Sequence, residues 1–187
     1  VSGAAHLDGH LQAELPLITP PNTPNAPHGC LRPLNALPAY MVDHAALHAL
    51  TRWVTEGVAP PIAPRMDRNA LGFVRTDEAG HAAGGVRLPD IQVPTARHGQ
   101  YSNFSTHSLT VRSQYACIAG GSTVPMAASD LHARYASRAA YVQAYQAAAD
   151  VLLRQGFLRP RDHQALLARS QAAARLWPGT PTSHAPH

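Results

Sequence analysis

The chain has 187 residues, 45% of them apolar and only 14% charged. That length supports one hydrophobic core or one and a fraction, and the apolar share argues against wholesale disorder. The formal charge of +4 comes from fifteen basic residues against eleven acidic ones. The basic residues are scattered arginines with no aromatic platform between them, so no nucleic-acid partner is expected.

No run reaches the roughly eighteen apolar residues of a membrane span, so no membrane partner is expected either. The charged share falls well below the roughly 25% of a free-standing domain, which suits a segment partly covered by a partner. Cys30 and Cys117 do not form a Cys-x-x-Cys motif and leave two readings open, one long-range bridge or two buried thiols. A bridge would favour an exported protein.

In chain order, the first segment is a small-residue run ending in a histidine, Val1-Ser2-Gly3-Ala4-Ala5-His6. It looks like the loop that presents the catalytic histidine after the last strand of an α/β-hydrolase sheet. In that fold the triad runs Ser, then Asp or Glu, then His. With His6 as the last member, the serine and the acid are expected upstream of Val1, and the chain reads as the C-terminal part of an enzyme.

Residues 11–38 carry seven prolines, which excludes a helix or a central strand and predicts a long irregular segment. A helix is expected over residues 39–57, with Met41, Ala45, Trp53 and Val54 at helical spacing and Gly57 as its stop. Its Trp53 is expected in the core, as are Tyr141 and Tyr145. Residues 71–94 predict a hairpin, a strand over Leu71–Thr76 returning through Gly84–Pro89 by the turn Asp77-Glu78-Ala79-Gly80. Residues 97–124 are expected to be loop with short strands. A helical pair is expected within residues 128–177, the first capped by Ser137 and stopped by Gly156, the second opened by Pro160. Residues 179–187 are expected to be a disordered tail, leaving 1–178 as the domain portion.

Several residues carry candidate chemistry. His6 is the candidate general base of an acyl-transfer reaction. Asp8 is expected to serve structure rather than catalysis, since the triad order places the acid before the histidine. His6, Asp8 and His10 suit a zinc ion by chemistry but lack an obvious fourth ligand. His44 and His48 stand at zincin spacing, but Ala45 occupies the place of the required glutamate. No catalytic metal is assigned. The run Gly120-Gly121-Ser122-Thr123-Val124 misses the last glycine of a Gly-x-Ser-x-Gly elbow, so Ser122 is expected to be a turn hydroxyl. Arg87 is expected in an ion pair with Asp77 or Asp90 rather than as an anion-binding fork.

Five stretches, taken together, resemble the alpha/beta hydrolase domain-containing protein family of serine hydrolases. Val1–Asp8 is similar to its E-V-A-G-[TA]-[SA]-H-A-D segment. Ala45-Ala46-Leu47 with Leu50, Trp53, Val54, Gly57, Pro60 and Pro61 resembles its A-A-L…L-x-x-W-V-x-x-G-x-x-P-P helix and exit. Asp77, Gly80 and Gly84–Pro94 resemble D-x-x-G-N-x-x-G-G-I-R-x-P-x-V-x-V-P, and Gly121–Met126 resembles G-T-x-x-P-F. Leu131, Tyr135, Tyr141, Val142, Gly156-Phe157-Leu158 and Asp162 match its closing helices. His81 departs from the family's asparagine and Met126 from its phenylalanine.

The resemblance implies the C-terminal part of an α/β-hydrolase fold and a serine carboxylic-ester hydrolase, with His6 on the catalytic histidine. It implies a small ester substrate, no cofactor, and a partner in the upstream N-terminal part of the same hydrolase. The other reading is a non-catalytic binding or scaffold module, with metal binding through its histidines.

Overall fold

The structure, a computed structural model, describes residues 1–6, 30–100 and 117–175. Most of the proline-rich segment, Asp8, His10 and the C-terminal tail lie outside these residues.

Helix α1 spans Tyr40–Glu56, a run rich in alanine and leucine with Asp43 in its first turn. It ends where Gly57 takes a left-handed φ of 71° and returns its N–H to the Trp53 carbonyl at 3.1 Å. Only Met41 and Ala45 are buried. The expectation for Trp53 is overturned: it is 54% exposed, and neighbouring Val54 is 77% exposed. Helical spacing of apolar residues defines a face but says nothing about whether a neighbour covers it. Here the core closes over the first half of the helix only.

The expected two-stranded hairpin is replaced by a three-segment arrangement without a regular strand. Isolated antiparallel bridges join Met66 to Gly84, Arg68 to Val74 and Thr76 to Ala82. The backbone bonds close a ring: Asp67 N–H donates to Ala83 O, Ala83 N–H to Arg75 O, and Arg75 N–H to Asp67 O, at 2.8–2.9 Å. The turn at Asp77–Gly80 forms, with Gly80 N–H on Asp77 O at 2.9 Å. A third segment joins because Gly84 lets the backbones touch; a Cβ there would sit 2.3 Å from Arg65 O. Leu71 and Phe73 stay exposed.

A four-residue helix, α2 (Pro89–Gln92), follows with proline in its first turn. Strand β1 (Ala96–Gly99) then pairs antiparallel with β2 (Ser122–Pro125), placing Arg97 opposite Val124 and Gly99 opposite Ser122. This ribbon is the one sheet among the described residues. The Cys30 and Cys117 thiols form a disulfide with Cα atoms 5.2 Å apart.

Helices α3 (Ala128–Arg134), α4 (Arg138–Arg154) and α5 (Pro160–Arg175) complete the described residues. The Ser137 hydroxyl accepts the Ala140 N–H at 3.0 Å and caps α4. At the other end Gly156 has φ 80°, Gly156 N–H returns to Leu153 O, and Phe157 N–H to Leu152 O. That paired return is a Schellman closure, and it brings buried Phe157 against the last turn.

Helices α4 and α5 pack on each other, and α2 rests on α4. Leu88, Ala149 and Leu166 are fully enclosed. Tyr135, Tyr141 and Tyr145 form an aromatic row with ring centroids 5.4 and 5.9 Å apart. Buried phenols need partners: Tyr135 donates to Pro94 O at 2.9 Å and Tyr145 to Asp90 Oδ2 at 2.7 Å.

Candidate active site

The residues before His6 are tied to the core rather than trailing from it. Ser2 N–H donates to Val86 O at 3.0 Å, and the Ser2 hydroxyl to Ala82 O at 2.8 Å. Gly3 follows with φ +74°, so tightly seated that a Cβ would lie 2.6 Å from Ile91 Cδ1. The Gly3 carbonyl accepts from Asn35 Nδ2 at 2.8 Å. Ala5 faces Gly121, where an added Cβ would lie 3.2 Å away. After these anchors His6 itself is exposed to solvent.

Asn35 is the hub of this arrangement. Its amide nitrogen also donates to Gly99 O at 3.1 Å, and its Oδ1 accepts from Leu37 N–H at 2.9 Å. Its own N–H bonds Gly120 O at 2.9 Å. One buried amide therefore ties the His6 segment, strand β1 and the approach to β2 together.

Two buried histidines meet at strand β1, His98 within it and His81 against its backbone. His81 Nε2 accepts the His98 backbone N–H at 3.1 Å, which assigns the ring proton to Nδ1. That Nδ1 is enclosed and has no hydrogen-bond partner among the described residues. Burial, together with the positive charges of Arg87 and Arg97, holds His81 below the usual histidine range against the pull of Asp77. Burial likewise depresses His98 to about 4. Both rings are neutral at neutral pH. His98 Nδ1 lies 3.3 Å from the Thr123 hydroxyl, which accepts from Ala36 N–H at 2.8 Å.

Among the described candidates, Arg87, Asp77, Asp90, His44 and Ser122 take structural places. Arg87 pairs with Asp77 and donates to Ala82 O, closing the turn that Asp77 Oδ1 caps through the Ala79 and His81 amides. Burial raises the Asp77 carboxyl, but the Arg87 bond and the His81 amide outweigh it and bring it below the ordinary value. Asp90 instead accepts from Tyr145 and, at 3.1 Å, from Arg169. His44 Nδ1 sits 3.2 Å from both Asp162 oxygens, so its partner lies on α5 rather than at His48. Ser122 is not in the turn: the turn belongs to Gly121 at φ +58°, and Ser122 opens β2 opposite Gly99. Asp8 and His10 lie outside the described residues.

Asn35, His81 and His98 escaped the sequence reading. The first sits in a proline-rich stretch with no periodicity. The two histidines were hidden among twelve, and His81 stood out only as a departure from a family asparagine.

A family model described as Alpha/beta hydrolase domain matches residues 1–168. The chain belongs to the alpha/beta hydrolase domain family. No curated protein and no solved structure matches it significantly.

Proposed function

We propose that this chain supplies the catalytic histidine of a serine carboxylic-ester hydrolase, with His6 as the general base. The nucleophilic serine and the acid come from polypeptide upstream of this chain. His6 takes the serine hydroxyl proton as the oxygen attacks the ester carbonyl, then returns it to the leaving alcohol. It next activates the water that releases the acid product. The upstream acid holds the imidazole tautomer and stabilises its charged form.

The observation that carries this reading is the contrast between His6 and the residues before it. Ser2 and Gly3 are buried and bonded to the core, whereas His6 is open to solvent. A general base needs a fixed backbone and free access to its substrate. The Cys30–Cys117 bridge supports an oxidising, exported setting. No helix among the described residues is long and apolar enough to cross a membrane.

The test is His6→Ala in the intact hydrolase, followed by turnover of a small activated ester and by unfolding midpoint. Loss of about 10⁴-fold or more in kcat with an unchanged midpoint is expected. Undiminished turnover would remove His6 from the reaction.

A further inference from the structure

The backbone of Gly3, just ahead of His6, is bordered by two side chains that also grip strand β1. The Gly3 carbonyl takes the Asn35 amide at 2.8 Å. A Cβ at Gly3 would lie 3.4 Å from His81 Cδ2, so the edge of that ring faces the His6 segment. Cδ2 adjoins Nε2, the nitrogen that accepts the His98 N–H of β1 at 3.1 Å. Gly99, the next residue of β1, gives its carbonyl to the same Asn35 amide at 3.1 Å. Ala82, the neighbour of His81, receives the Ser2 hydroxyl at 2.8 Å. His81 and Asn35 therefore hold consecutive residues of β1, and both border Gly3.

The bond at His81 Nε2 lasts only while that nitrogen keeps its lone pair. Protonation turns it from an acceptor into a donor, and two donors then face each other across 3.1 Å. The side chain is 1% exposed, so the conflict falls on the contacts around the ring. The charged ring also has a carboxylate to turn toward: Asp77 Oδ1 lies 3.9 Å from Nδ1, just beyond hydrogen-bond reach.

Burial is the strongest influence keeping the ring neutral at neutral pH. Of the charges that face it, Asp77 at the start of the turn favours protonation, while Arg87 beyond the turn and Arg97 on β1 oppose it. His98 faces it from β1 with ring centroids 6.3 Å apart and is itself neutral there. The packed residues of the His6 segment, Ser2 and Gly3, carry no charged side chain.

We propose that His81 is a positioning residue for His6 and an acid-sensitive latch: unprotonated Nε2 locks β1 beside the Gly3 backbone, and protonation releases both. Its effect on turnover rests on the ester-hydrolase reading, whereas the latch is a property of the fold alone.

Two measurements on the intact hydrolase keep these separable. Amide hydrogen exchange, corrected for the intrinsic pH dependence of exchange, reads the latch without chemistry. In the parent, protection over residues 1–6 and 96–99 is expected to fall together between pH 7 and about pH 4.5. His81→Gln supplies an amide oxygen that accepts the same N–H and does not titrate, so it is expected to lose about tenfold less protection, the worth of one hydrogen bond. His98 titrates in both proteins, so their difference isolates His81. His81→Leu, which has no acceptor, is expected to exchange about tenfold faster already at pH 7. His81→Asn is the second non-titrating amide should the glutamine variant fail to fold. Equal pH dependence in the parent and the amide variant, or parental protection in His81→Leu, would overturn the latch.

The second measurement is the ratio of kcat/KM at about pH 4.5 to that at pH 7 for ethyl butyrate. The ratio is expected to be about tenfold higher in His81→Gln than in the parent, since His6 titrates in both and cancels from the comparison. Equal ratios would overturn the positioning role. Failure of the parent to cleave the ester at pH 7 would instead overturn the hydrolase reading, while the exchange measurement still decides the latch.

Discussion

The Asn35 side chain donates to the Gly3 carbonyl at 2.8 Å across 32 positions of sequence, and this bond holds the backbone that presents His6. The same nitrogen serves Gly99 O, so removing it leaves two carbonyls short of a donor. Asn35→Ala should cost about 1–3 kcal/mol, lowering the unfolding midpoint by several degrees. Asn35→Asp should be at least as damaging, because it turns an oxygen toward those carbonyls. On the proposed role of His6, ester turnover should also fall in both. Parental midpoints in both variants would show that the amide is dispensable.

The disulfide spans a sequence separation of 87, a loop large enough to restrict the unfolded chain strongly. In the chain-entropy model its loss costs about 4–5 kcal/mol. Replacing Cys30 and Cys117 together by serine should lower the denaturant midpoint accordingly, and reductant should do the same to the parent. A double variant as stable as the parent would contradict this.

Stability should fall on mild acidification because of His98. The unfolded ring takes up its proton near 6.5, while the folded one, burdened by burial, does so only at about 4. Between those values the unfolded state binds more protons, so stability is full above about 6.5 and drains away as pH falls toward 4. The loss is on the order of 3 kcal/mol, and His81, also held below the usual value, acts in the same direction. Asp77 adds to the loss only below its ordinary value of 3.8. Denaturant midpoints at pH 7 and pH 5 read the effect. His98→Gln should flatten the profile, and an unchanged slope in that variant would assign it elsewhere.

The Tyr145 hydroxyl shares Asp90 with Arg169, whose other arm reaches Ala36 O at 2.8 Å. Tyr145→Phe removes one of two strong donors from a nearly buried carboxylate. It should cost about 1–3 kcal/mol, and Arg169→Ala should cost more because it strands the charge. The pair should be non-additive in a double-mutant cycle; strict additivity would mean that Asp90 does not couple them.

Signals contained within one or two turns of chain were legible from the sequence. The Ser137 cap, the Gly57 and Gly156 stops and the Asp77–Gly80 turn rest on groups a few residues apart. The match of ordered segments likewise carried the family. What lay across tens of residues was not legible, because a side chain's partner there depends on which surfaces pack. Arg87 had two candidate acids at equal merit, and the fold delivered Asp77 while sending Asp90 to residues 55 and 79 positions away. Trp53 had the spacing of a core residue and lies exposed, since α1 meets the core with its first half only. Asn35 belongs to no pattern, and it became the hub only when the three remote carbonyls of Gly3, Gly99 and Gly120 converged on it. Sequence determined which local elements form and which family the chain joins. Tertiary structure decided which polar groups meet, because burial makes an unpaired polar group costly and nearly all take whatever partner the packing brings.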